Sequence, residues 1–147
     1  MRIGARNAAC VLAVSALLLG LPTSAKKDEP EVVVVQHILI GYKGSIRGKE
    51  IERTKKEAKA LALELLERAK KGEDFAELVQ EYTDDRAPGI YKMANKGQPR
   101  PADGYGRDDM AYRFGDVAFS LEIGEIGLAE QHPAGSPYGW HIIKRLE

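Results

Sequence analysis

A continuous apolar run, VVVVQHILIGY at residues 32–42, is the feature that most narrows what this chain can fold into. Its side chains are apolar at successive rather than alternate positions, so it reads as a strand buried on both faces. Such a strand needs a covering layer on each side. The run also carries His37. The C-terminal stretch PYGWHIIKRLE (137–147) repeats the pattern, with His141 between Trp140 and Ile142. A half-polar ring in a buried strand needs partners for its nitrogens, yet two of the chain's three histidines are set in this way.

Between these strands the periodicity is helical. Ala58, Leu61, Ala62, Leu65, Leu66 and Ala69 recur at three- and four-residue steps, predicting a helix over 51–69 with one apolar stripe. Gly72 ends it, and GEDFAELVQEY (72–82) predicts a shorter helix with Asp74 as N-cap. Residues 88–109 are rich in Gly, Pro and Asp, which predicts an irregular loop with one short strand. DDMAYRFGDVAFSL then predicts a short helix with Met110 and Phe114 one turn apart, followed by a turn, a strand at EIGEIGLAEQ and the terminal strand. The order of elements is that of an α+β fold.

At 147 residues there is room for one domain with a proper core. Arg2 and Arg6 precede the acid-free apolar run NAACVLAVSALLLGLP, and TSA follows. This is the layout of a secretory signal, expected at 1–25 with cleavage after Ala25; an uncleaved anchor is the alternative, and the only route to a membrane. Residues 26–31 form a charged linker, and 32–147 the folded domain. Cys10 is the only cysteine. It sits near the start of the apolar run, not after it, so it is not read as a lipid-attachment site. Its removal with the leader suits an oxidising, extracytoplasmic or periplasmic setting and excludes thiol chemistry. Lys and Arg balance Asp and Glu at 22 each; loss of Arg2 and Arg6 leaves 20 against 22, a net charge of −2. No nucleic-acid surface follows from that balance.

Five segments now fall into one order: QHILI, EDFAELVQEYTDD, MAYRFGDVAFSL, GEIG and YGWHIIKRLE. In this order the chain resembles the parvulin family of peptidyl-prolyl cis/trans isomerases over residues 33–147. The resemblance implies a small, mostly antiparallel sheet of about four strands covered by about four helices, with the two histidines on central strands. It implies a site in which His37 and His141 are paired behind Asp85, their rings joined by a hydrogen bond that fixes the tautomers. Met110 and Phe114 would form the floor and wall of a proline pocket, and Tyr138 would stand just before the second histidine. Relatives usually carry GGDLG shortly after the acidic pair. Here Asp85 and Met110 are 25 positions apart, with an insertion-bearing loop at 88–109, and Ile90, ahead of Met93, is the candidate for the family's pocket leucine.

The implied activity is rotation about X–Pro bonds in unfolded exported or other proline-containing polypeptides, by a monomer without cofactor or metal. Amide rotation meets a barrier of about 18–20 kcal/mol. A catalyst of it need only bind the twisted amide better than the planar forms. The runner-up is a catalytically weak peptide-binding or chaperone module on the same fold, with the altered 88–109 loop as its cause. A metal site of His37, His141 and Asp85 has the right ligand types but no H-E-x-x-H or carboxylate cluster behind it. Hydrolase chemistry lacks a G-x-S-x-G.

Overall fold

The computed structural model describes residues 28–147; the leader expected at 1–25 and its cleavage site lie outside the described residues. The elements are β1 (Val32–Ile40), α1 (Lys55–Lys70), α2 (Phe75–Tyr82), β2 (Ile90–Ala94), β3 (Tyr105–Gly106), a 3-10 turn (Arg107–Asp109), α3 (Tyr112–Ser120), β4 (Ile126–Ala129) and β5 (Trp140–Arg145). The strands form one sheet in the order β3-β2-β1-β5-β4, antiparallel except between β2 and β3. The α+β class and the predominantly antiparallel sheet are as expected from the sequence. The counts differ slightly, with five strands in the described residues, and three α-helices plus the 3-10 turn.

β1 lies at the centre, and its alternation divides the core in two. Ile38 and Ile40 face one way, joining Trp140 and Ile142 of β5 against Ala58, Ala62, Leu65 and Leu66 of α1 and Phe75, Leu78 and Val79 of α2. Val33 and Val35 face the other way, with Met93 and Ile143, against Phe114, Ala118 and Phe119 of α3. His37 falls on this second face.

The helix expected at 51–69 starts four residues later. Thr54 is its N-cap: the Thr54 side chain accepts from Glu57 N at 3.2 Å, and the Glu57 carboxylate accepts from Thr54 N at 2.7 Å. This reciprocal box satisfies two donors that the first turn leaves free, so residues 51–53 stay outside the helix. α2 starts after Asp74 as expected, the Asp74 carboxylate accepting from Glu77 N at 2.9 Å.

The region 88–109 is more ordered than its composition predicts. Val32–Gln36 pair with Ala94–Ile90, which makes Ile90–Ala94 a full strand, and β3 adds a second. Met110 is also displaced from its expected position. It is extended (φ −94°, ψ 158°) and caps the 3-10 turn ahead of α3, since the helix begins only at Tyr112.

Thr54→Ala should cost about 1 kcal/mol of stability through loss of the cap, and Thr54→Ser, which keeps the capping hydroxyl, close to nothing. Urea unfolding of the two variants checks this; equal losses would mean that the box does not hold the start of α1.

Candidate active site

The site is assembled at one end of the face that packs on α3. Antiparallel pairing sets Leu39 opposite His141 and His37 opposite Ile143, so the two histidines are diagonal neighbours on one side of the sheet. Both are buried. Their rings meet edge to face, with centroids 5.4 Å apart and planes at 70°. Phe114 of α3 stands edge-on to both, at 5.1 Å from His37 and 5.2 Å from His141. The hydrogen bond expected between the rings is not made. All four ring nitrogens are buried without a hydrogen-bond partner among the described residues.

Asp85 is brought to His37 by the segment that ends α2. Thr83 Oγ1 accepts from Leu39 N at 3.1 Å, and Asp84 N donates to Leu39 O at 2.8 Å. The Asp84 carboxylate accepts from Gly41 N at 2.7 Å and pairs with the Arg53 guanidinium. Further on, His37 N donates to Gly89 O at 2.9 Å and Gln36 Nε2 to Pro88 O at 2.8 Å. Residues 83–89 are thereby laced to β1, and Asp85 Oδ2 comes to rest 3.2 Å from His37 Nε2. That is ion-pair distance, although the two atoms are out of line for a hydrogen bond.

A third residue completes this corner. Tyr91 donates its hydroxyl to Asp85 Oδ2 at 2.8 Å. Its ring stacks on His37, centroids 5.0 Å apart and planes within 6°. The sequence reading gave this wall to Ile90, and the structure corrects it. Ile90 is half exposed on the opposite side of β2, outside the cavity. Met93, the other candidate, is fully buried in the core on the inward side. A strand carrying Met93 inward must also carry Tyr91 inward and Ile90 outward, and that alternation was the available signal.

These residues line a cavity of about 300 Å³. His37, His141 and Asp85 form its polar side. Met110 and Phe114 line it as expected, joined by Leu39, Ile46 and Tyr91. Lys49 stands at its wall with Asp84 and Asp109. Tyr138 is half exposed on its rim. The loop that presents Tyr138 is tied by His132 Nδ1, which accepts from Ala134 N and Gly135 N at 3.2 Å each, and by Ser136 Oγ, which donates to Gly139 O at 2.8 Å. Gly139 (φ +149°) enters β5 so close to β1 that a Cβ would sit 2.1 Å from Ile40 O, so only glycine fits.

The electrostatics of the site follow from this burial. Proximity to His37 holds the Asp85 carboxyl well below the ordinary carboxylate range; the Tyr91 hydroxyl and the Arg86 backbone act in the same sense, and together they outweigh desolvation. Asp85 is therefore an anion, an acceptor only. Burial first, and contact with Asp85 second, push the Tyr91 hydroxyl up to about 12, so it keeps its proton and donates. Burial, with repulsion from His37, pushes His141 down to about 3. Among the described residues no group of three or more His, Cys, Asp or Glu side chains is placed to hold a metal ion.

A buried histidine pair, an ionised carboxylate and an apolar cavity are thus gathered at one end of a five-stranded α+β sheet. Comparison with known proteins identifies the family. Residues 21–147 match the model of the PPIC-type PPIASE domain. The chain belongs to this family, the parvulin-type peptidyl-prolyl isomerases. It is 31% identical over 128 residues to the chaperone SurA of Chromohalobacter salexigens, covering 84% of this chain and 25% of that protein. It is 32% identical over 133 residues to the foldase protein PrsA of Bacillus subtilis, covering 86% of this chain and 39% of that protein. The chain thus spans well under half the length of either relative. Among solved structures, the peptidyl-prolyl isomerase ESS1 from Candida albicans is similar with a TM-score of 0.56 at 27% identity, covering 80% of this chain and 63% of that one. TbPIN1 shares the fold, with a TM-score of 0.60, 22% identity and coverage of 80% and 98%.

His141 makes stability depend on pH. Its folded-state pKa is depressed from an ordinary 6.5 to about 3, so the stability it contributes is intact above 6.5 and is lost as pH falls toward 3. Between pH 7 and 4.5 the wild type should lose more stability than a His141→Leu variant. Parallel losses in urea unfolding would assign the acid sensitivity to other groups.

Proposed function

We propose that this chain is an exported peptidyl-prolyl cis/trans isomerase that accelerates X–Pro rotation in folding polypeptides, as a monomer and without cofactor. The observation that carries the reading is the cavity itself, with apolar walls of Met110, Phe114 and Leu39 on one side and the Asp85–His37–His141 corner on the other. Export is supported by the leader-like residues 1–25. A foldase role is supported by similarity to proteins named as a chaperone and a foldase.

The chemistry needs no covalent step. X–Pro isomers differ by only about 0.5–1 kcal/mol but exchange over tens to hundreds of seconds. A proline ring held against Met110 and Phe114, with water excluded, fixes one end of the bond. The planar amide carries more negative charge on its oxygen than the twisted one does. An anionic Asp85 near the path of that oxygen raises the planar forms relative to the twisted form, and a dry site strengthens the effect. Each 1.36 kcal/mol of such difference is about tenfold in rate. The buried histidines stand behind the carboxylate, His37 at 3.2 Å from it. Asp85, already engaged by Tyr91 and His37, is not a nucleophile in this scheme.

Exchange NMR of short X–Pro peptides tests the proposal. The wild-type chain should accelerate cis/trans exchange, and Met110→Ala, which thins the pocket wall without entering the core, should reduce kcat/KM by about tenfold or more. Peptide line broadening without acceleration would mean a binding module instead of an isomerase.

A further inference from the structure

We propose that Tyr91 is a positioning residue of the isomerase, holding the Asp85 carboxylate in register with the His37 ring; the inference rests on the function proposed above. A pocket wall at this point asks only for an apolar side chain. Tyr91 brings in addition a hydroxyl aimed at Asp85, the one carboxylate of the site that has His37 and no lysine or arginine as its basic neighbour among the described residues, since Asp84 is paired with Arg53 and Asp109 with Arg100.

Three contacts restrict what this corner can do. Asp85 Oδ2 is shared by the Tyr91 hydroxyl at 2.8 Å and His37 Nε2 at 3.2 Å, which limits rotation of the carboxylate. The near-parallel stack on His37, at 5.0 Å and 6°, sets the plane of a ring whose nitrogens make no other bond to the protein. The Tyr91 ring is in turn buttressed by Tyr105 at 5.5 Å, and its backbone pairs with Val35 within the sheet. The hydroxyl thus hangs on a rigid strand, whereas Asp85 lies in a connection held mainly through its neighbours Thr83 and Asp84. A charge misplaced by even a small distance loses much of its preference for the twisted amide. Tyr91 supplies a fixed point for a group whose own segment is irregular.

Tyr91→Phe keeps the ring, the stack and the pocket wall while removing the hydroxyl. In the full chain, with folding checked by thermal unfolding, this variant should lower kcat about tenfold and leave KM within about a factor of two, as loss of an interaction used in the transition state requires. In an Asp85→Ala background the same substitution should change kcat/KM by less than about a factor of two, because the hydroxyl then has nothing to hold. A Tyr91→Phe variant with wild-type kcat, or one whose effect persists undiminished without Asp85, overturns the inference while leaving the isomerase reading intact. An inactive wild type would overturn both.

Discussion

β1 has almost no free edge or face, and the rest of the molecule takes its position from it. β5 bonds one edge along Val35–Ile40, β2 bonds the other along Val32–Gln36, and the 83–89 segment continues that second edge past His37 to Gly41. α1 and α2 cover one face and α3 the other. A slip of β1 by one residue would exchange its two faces, driving His37 into the α1 layer and Ile38 and Ile40 towards the α3 side. Register in this strand is therefore the common condition of core and site.

That condition also explains how polar groups come to lie at the centre of a small core. Four buried ring nitrogens without protein partners are a liability of about 1–3 kcal/mol apiece when nothing compensates. The rings are instead packed edge to face and stacked among Tyr91, Phe114 and one another, and burial favours the neutral form of His141. The same apolar packing leaves Asp85 as the one charged partner within reach of His37. Burial and charge are sorted by position, the buried rings within and the anion at the opening.

Much of this was legible in the sequence because it follows from periodicity. The unbroken β-branched run gave the central strand, the three- and four-residue steps of Ala58 to Ala69 gave the buried face of α1, and Asp74 marked the start of α2. The box formed by Thr54 and Glu57 was equally readable and would have set the start of α1. Met110 and Phe114 both reach the cavity, although Met110 does so from an extended residue and not from a helical turn. Harder to read were features fixed by pairing between distant residues. Glycine and proline content left the short strand expected within 88–109 unplaced, since β2 depends on hydrogen bonds to Val32–Gln36. With that strand unplaced, the alternation that sets Tyr91 and Met93 inward and Ile90 outward could not be applied. The geometry between the histidine rings was beyond reach in the same way, because a diagonal and a direct pair look identical in sequence.

The connection between β2 and β3 offers a different kind of consequence. Residues 95–104 supply none of the cavity's lining, and their side chains at 96–100 and 102–103 are exposed. They are braced at the base, where Asn95 bonds to Glu31 O and Pro30 O, and beside it, where the Arg107 guanidinium gathers Glu29, Asn95 and Asp116. Beyond those anchors the span is held by surface contacts, chiefly the Arg100–Asp109 pair. Lengthening a surface connection costs little, since doubling a loop adds only about 0.6 kcal/mol of closure entropy. Evolution can therefore lengthen, shorten or recharge this span while the catalytic end stays untouched, making it the place where otherwise similar isomerases are free to diverge in how they meet the surfaces around them.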